Sequence, residues 1–494
     1  MKSLITKLGS LLCPIRLAFT KNSNSRCKEF SVHHSLTGCE LNIHSIKAVR
    51  ALFLKHVPLR YKPLVALLRT AMRHRVMIVA EGEDWRRTHD AINPEFQAGV
   101  VARQYAPVIR AAADEAFAKL AHRGMTGKAM GSVLSTTAIE IEVEPLMRTV
   151  TSSVLGYILF GNPLPLEEAD YLERTLSIAT KVIQNGIPAQ INTGMATVLS
   201  VLNLSNHQPI VIPKAQRKAL DDVIAWIGLK IDQAELAGVR PPLLESLKTR
   251  FADRQPVERK RCIAAEYAML FIAGIETTAA ALTFAIAEIA NNPAVRDQVI
   301  REARQEPAGT PSNQTLAAQF PYLHCVFRET LRRHTIVPTM LRETETDYEL
   351  SGENPGAESG VKVRVRKGST LRYLPIQGHM RRSIWTDPRV FDPDRFAAPL
   401  TSEQTINYIP FGFGPQRCPG HAMATTEGIL ILLAFFRRFD VETKEIGQSI
   451  PVERNAVFTN RPVGVTARVR AAADHARSGT EAAVPLSLNA RLTQ

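Results

Sequence analysis

The chain has 494 residues, 45% of them hydrophobic and 22% charged, ordinary globular values that exclude general disorder and supply material for a sizeable core. That length exceeds the usual single-core size but is compatible with one large helical unit. The net charge of +14 is uneven, since residues 1–80 carry fourteen Lys/Arg against only Glu29 and Glu40.

The basic N-terminal end suits an acidic redox partner or an anionic membrane surface, or is simply a solvated face. Residues 1–28 contain no acid, which also fits a mitochondrial transit peptide; a cytoplasmic location is expected, with mitochondria the alternative. The apolar stretch Leu8 to Leu12 ends at Pro14 and Arg16, far short of the roughly 20 residues that cross a bilayer, so no transmembrane anchor is predicted. Six scattered cysteines, at 13, 27, 39, 262, 325 and 418, form no CxxC pair and read as free thiols in a reducing compartment. No nucleic-acid partner is expected.

Further along, GEDWRRTHDAINPEF (82–96) puts Trp85 and His89 four apart on one helix face. From Arg261 to Ile289 a proline-free run of Ala, Ile and Leu, stopped by Asn291-Asn292-Pro293, predicts a long helix, apolar nearly all round and therefore central. It contains AGIETT (273–278), in which an acid and a hydroxyl stand side by side. Glu329 and Arg332 share one face of a later helix. Tyr348–Leu350, Val361–Val365 and Thr370–Leu374 have strand character and suggest a small sheet, while the polar stretch 353–360 reads as a surface loop. Residues 411–420, FGFGPQRCPG, place Cys418 after three turn residues and before a helix running from His421 to Phe439. Glycines there let backbone approach a flat ligand, and the helix N-terminus would favour a thiolate. From about Ala471 the chain reads as a loose tail.

The decapeptide resembles the heme-binding loop of the cytochrome P450 family, with Phe411, Gly414, Cys418 and Gly420 at its fixed positions. The resemblance implies a mainly helical prism with a small β-sheet region, holding heme b between the central helix and the Cys418 loop. Cys418 would be the axial iron ligand, and its thiolate would favour oxygen–oxygen cleavage. AGIETT is similar to the family's oxygen-activation motif: Ala273 would line the heme pocket, Gly274 would widen the helix, Thr277 would hydrogen-bond the oxygen being cleaved, and Glu276 would belong to the proton route. Glu329, Arg332 and, from WTDPRVFDPDRF (385–396), Arg395 would form a buried structural triad. Trp85, His89 and Arg342 would hold heme propionates. Two positions depart from the pattern: Gln416 replaces a base that the family carries beside a propionate, though its amide can still donate, and Thr335 replaces a proline.

The implied organisation is a basic, divergent segment over 1–40, a heme domain over 41–470 and a flexible tail over 471–494. Only some forty residues precede a helix near Ile46, so the family's first strands are expected to be missing or replaced. The implied reaction inserts one atom of dioxygen into an apolar small molecule. No flavin or iron–sulfur motif is present, which implies a separate ferredoxin- or flavodoxin-type electron donor with its reductase. The pocket would be lined by Ala273, Thr277, Val337 to Met340 and stretches near 62–80 and 185–212. A peroxide-using heme-thiolate enzyme and a non-catalytic heme-binding relative are the alternatives.

Overall fold

A computed structural model describes residues 15–18, 30–35, 38–44, 46, 49–50, 59–60, 62–126, 138–191, 212–305, 315–352, 361–442, 450–453 and 459–472. The expected loop at 353–360, most of the 185–212 stretch and nearly all of the C-terminal tail lie outside these residues. The architecture is mainly helical. In chain order the longer helices are α1 (Lys62–Met72), α2 (Gly82–Ile92), α3 (Ala106–Thr126), α4 (Val143–Phe160), α5 (Leu166–Ile191), α6 (Lys214–Leu236), α7 (Pro242–Arg250), α8 (Pro256–Asn291), α9 (Pro293–Arg304), α10 (Pro321–His334) and α11 (His421–Arg438).

The 36-residue α8 is the axis, about 54 Å long at 1.5 Å per residue. It starts five residues before Arg261, because Pro256 fits the first turn, where no intrahelical N–H is needed. Helices α4, α6, α10 and α11 pack around it. Among the described residues it is the one helix long and apolar enough to cross a membrane, yet 72% of its most apolar window is buried inside the fold, as suits a core helix. Gly274 does not widen this helix, which stays α-helical throughout. A Cβ there would stand 2.8 Å from Leu155 Cδ1, so the glycine instead lets α4 pack closely.

Four small sheets appear among the described residues, where the sequence suggested one. Strands β1 (Ile15–Ala18), β2 (Phe30–Ser35), β3 (Gly38–Ile43) and β4 (Leu59–Arg60) precede α1, and β5 (Ile139–Glu142) precedes α4. Strands β6 (Met340–Glu343), β7 (Tyr348–Gly352), β8 (Val361–Val365) and β9 (Thr370–Tyr373) follow α10. The last are β10 (Phe439–Glu442), β11 (Val452–Glu453), β12 (Arg461–Pro462) and β13 (Thr466–Ala471). The predicted β7 and β8 pair with each other, and β8 also pairs with β1, but β9 enters a different sheet, ordered β2-β3-β9-β6-β4. Gly368, at φ 79°, turns the chain between β8 and β9, and Thr344 fixes that turn by donating to Arg366 O and accepting from the Ser369 N–H.

The first strands are therefore not missing. β2 and β3 form an antiparallel pair, and β3 runs parallel to β9 with Leu41 opposite Leu371. Leu41 and Ile43 are buried. Residues 30–35, FSVHHS, alternate apolar or aromatic with polar residues, a period-2 pattern that the surrounding basic composition obscured.

On α10, Glu329 and Arg332 are both fully buried, with Arg332 Nε 2.6 Å from Glu329 Oε2 and Nη2 2.7 Å from Oε1. Arg395 Nε joins at 3.4 Å from Glu329 Oε1, completing the expected triad. Two Arg332 N–H groups also donate to the carbonyls of His379 and Pro388, and that saturation makes a buried charge tolerable. Thr335 ends α10 at φ 41°, a left-handed conformation closed to proline, whose ring holds φ near −65°. The departure from the family's proline thus goes with a different local turn.

Candidate active site

The Cys418 loop is built on two glycines with positive φ, Gly412 (72°) and Gly414 (71°), which side-chain-bearing residues adopt only with strain. The Gly412 N–H donates to Ile409 O and the Cys418 N–H to Phe411 O, both at 3.0 Å, closing a compact turn. Cys418 is accessible at its surface although protein atoms surround it closely. The Gly420 N–H hydrogen-bonds to the sulfur and Arg417 adds positive charge; both favour the thiolate, but burial outweighs them and pushes the thiol up. The helix-terminus argument from sequence is therefore incomplete: a bound metal cation must supply the rest, since a coordinating thiol is deprotonated outright. Phe411 lies 6.3 Å from the His421 ring, and Gln416 is half-buried.

On α8, Ala273 is exposed although Ile272 and Ile275 on either side are buried, and Thr277, one turn on, is half-buried. This is the opening in an otherwise buried helix, and α8 packs directly on α11 behind the cysteine. The Thr277 hydroxyl donates to Ala273 O at 2.7 Å, the local back-bond common for Thr in helices. Glu276 turns elsewhere. Its Oε1 stands 4.0 Å from Nη1 of Arg148 on α4, which is itself buried and also pairs with Glu173 (2.6 Å) and Glu144 (3.5 Å). Arg461 closes the cluster, with Nε 2.9 Å from Glu144 Oε1. Three carboxylates share two guanidiniums. Burial pushes the Glu276 carboxyl up, Arg148 and Arg461 oppose it, and Glu144 adds to the rise. The structure thus brings Glu276 to Arg148, while Thr277 opens beside Ala273.

Trp85 and His89 stack with ring centroids 4.8 Å apart on α2, and His89 Nδ1 is 3.3 Å from Asp90 Oδ1. Arg342 lies on β6, paired across the ladder with Arg60 on β4. Burial lowers Arg342 to about 10. Burial together with the neighbouring Arg342 charge lowers Arg60 to about 9, and its buried Nε has no hydrogen-bond partner. Glu81 beside Arg60 offsets part of this repulsion, and the unsatisfied N–H can take a further anion, which the carboxylate of a heme propionate fits.

Arg60 and Arg148 were not singled out from sequence. Arg148 was detectable, as a lone Arg in the apolar run of α4 (VEPLMRTVTSSVLGYILF). Arg60 gave no such signal, because its two-residue strand acquires meaning only from pairing with β6.

Beside the Cys418 loop opens a cleft of about 420 Å3, lined by Phe411, Gly412, Phe413 and Gly414 and by the basic side chains of Arg50, His324, Arg328, Arg417 and His421; no Asp or Glu lines it. The Arg328 guanidinium sits 4.3 Å from the Phe396 ring centroid.

Comparison with known proteins matches residues 39–467 to the family model described as Cytochrome P450. Among similar proteins are "Probable cytochrome P450 6a14" of Drosophila melanogaster, 24% identical over 74% of this chain and 70% of its own, and "Probable cytochrome P450 6t1" of the same organism, 26% identical over 74% and 67%. "Cytochrome P450 6B6" of Helicoverpa armigera is 23% identical over 76% and 72%.

Proposed function

The chain belongs to the cytochrome P450 family and is a heme-dependent monooxygenase that uses dioxygen and a redox partner, and from that premise we propose that Cys418 ligates the heme iron while an apolar small molecule is oxidised beside Ala273 and Thr277. The observation that carries the assignment is the Cys418 loop: an accessible thiol, held by two left-handed glycines and faced by the Gly420 N–H.

Heme b, when bound, supplies an iron centre at which dioxygen takes two electrons, one oxygen atom entering the substrate and the other leaving as water. The chain's own groups hold and serve it. Arg60 and Arg342, with Trp85 and His89 from α2, are the propionate donors, and Gln416 adds an amide. The Thr277 hydroxyl, which donates to Ala273 O, would be free to donate to an oxygen species in the site. Glu276, whose carboxyl is pushed up by burial, would pass on its own proton by side-chain movement or through water. Surrounding buried groups exclude bulk water, which keeps that delivery controlled.

Electrons come from a ferredoxin- or flavodoxin-type donor with its reductase. The cleft beside the Cys418 loop, with Arg50, Arg328 and Arg417 and no acid in its lining, supports an acidic docking face on that donor. The carbon monoxide difference spectrum of the reduced protein tests the reading: a strongly red-shifted band is expected, and Cys418→Ser is expected to abolish it. A heme-loaded wild type without that band overturns the assignment. Turnover with peroxide but none with reductase, donor and NAD(P)H would replace the electron-partner reading with a peroxide-using one.

A further inference from the structure

One fully buried imidazole links the ion-pair core to the segment that leads into the Cys418 loop. His379 ends a one-turn helix (Ile376–His379) and is 0% exposed. Its Nε2 accepts the backbone N–H of Ile409 at 3.1 Å, so that nitrogen carries no proton. Nδ1 therefore carries it and donates to Thr335 Oγ1, 2.8 Å away, whose own hydrogen goes to Arg332 O. The His379 carbonyl accepts from Arg332 Nη1 at 2.7 Å. On the far side, Ile409 O accepts from Gly412 at the first left-handed turn of the loop. A chain of hydrogen bonds thus runs from Arg332 through His379 and Ile409 into the loop that carries Cys418.

Gly378 makes the approach possible. A Cβ there would stand 3.0 Å from Asn407 O, a backbone atom that cannot swing aside. Burial, with the Arg332 charge second, pushes the imidazole down to about 3, so Nε2 stays free to accept near neutral pH.

We propose that His379 is the positioning residue that seats the Cys418 loop on the Glu329–Arg332–Arg395 core and thereby fixes the sulfur for metal ligation. The proposal rests on the heme-thiolate reading of Cys418. Its particular content is a single acceptor at the Nε2 position: Gln can reach the Ile409 N–H from this backbone, Asn is one methylene too short, and Leu offers no acceptor.

The test compares His379→Gln, His379→Asn and His379→Leu in the full-length holoprotein by two measurements, heme transfer to an apo-globin acceptor and the carbon monoxide difference spectrum, with far-UV circular dichroism confirming the fold. Gln is expected to release heme within about twofold of wild type and to keep the red-shifted band. Asn and Leu leave a buried N–H unpaired, and are expected to release heme about ten- to hundred-fold faster and to lose part of the band. If Leu fails to fold, the Gln and Asn pair decides. Equal behaviour of Gln and Asn, whether both retained or both lost, overturns the proposal, as does a Gly378→Ala variant with wild-type heme release. A wild type without the red-shifted band overturns the ligation reading itself, whereas a wild-type band with equal Gln and Asn variants overturns only the clamp.

Discussion

Replacing Glu427 with Gln is expected to stabilise the protein at high pH and leave it nearly unchanged at low pH. Glu427 lies on α11, nine residues past Cys418, is 2% exposed, and has one carboxylate oxygen with no hydrogen-bond partner. Burial alone raises its carboxyl from the ordinary 4.5 to about 8. Below pH 4.5 the group is neutral in both the folded and unfolded chain and contributes no pH dependence. Between 4.5 and about 8 the unfolded chain has released the proton that the folded chain still holds, so stability falls as pH rises, by about 1.4 kcal/mol per pH unit. Above 8 the loss is complete, and the full interval corresponds to about 5 kcal/mol. Gln keeps the shape and the neutral form, so Glu427→Gln escapes this loss. Urea unfolding followed by circular dichroism at pH 5 and pH 8.5 measures it: the variant's advantage should grow by several kcal/mol between the two. An advantage of equal size at both pH values would refute the reasoning, because it would trace to packing and not to ionisation.

Arg60→Leu should act with opposite signs on the two forms of the protein. Removing one of two adjacent buried guanidiniums relieves the heme-free protein and raises its melting temperature, while heme release becomes about ten- to hundred-fold faster through loss of a charge-assisted hydrogen bond; stopped-flow heme transfer and calorimetry read the two effects. Thr277→Val removes the hydroxyl beside Ala273 and is expected to lower product formation about 100-fold while reduced oxygen escapes as hydrogen peroxide, read as peroxide formed per NAD(P)H oxidised. Glu329→Ala leaves Arg332 as an unpaired buried charge and should destabilise by about 3–5 kcal/mol, measured as lost thermal stability and a low yield of heme-loaded protein. Reversing a cleft charge away from the cysteine, Arg328→Glu, should raise the KM for an acidic electron donor and flatten its salt dependence while the carbon monoxide spectrum stays intact.

What the sequence disclosed and what it hid divide along the distance between interacting residues. The Cys418 loop was legible because its causes are local: the glycines at 412 and 414 are required by backbone angles within the turn, and Pro419-Gly420 opens the following helix. The central helix was legible from composition and from the proline that follows it, although its start at Pro256 was not. Membership of a sheet was not, since β9 resembles β7 and β8 in residue type yet pairs with β3 and β6, and no periodicity records a partner. Gly274 shows the same limit: its absent side chain was read as room near the iron, whereas Leu155, more than a hundred residues earlier, occupies the space. Arg60 and His379 have meaning only through Arg342, Thr335 and Ile409.

The sulfur shows the most consequential case. Sequence supplied one group that favours a thiolate at Cys418, the N-terminus of the following helix, and the structure adds the Gly420 N–H and Arg417. Burial acts in the opposite direction and is the larger effect, and it cannot be read from neighbours in the chain. The heme-free protein is therefore expected to favour the thiol at Cys418. Loop geometry keeps the sulfur in place, and the ionisation belongs to metal binding, so heme capture by this fold should release a proton and grow stronger as pH rises toward the thiol's raised value. Heme titrations in buffers of different ionisation enthalpy measure that proton directly. Uptake with no proton released would mean that the thiolate already exists in the heme-free chain.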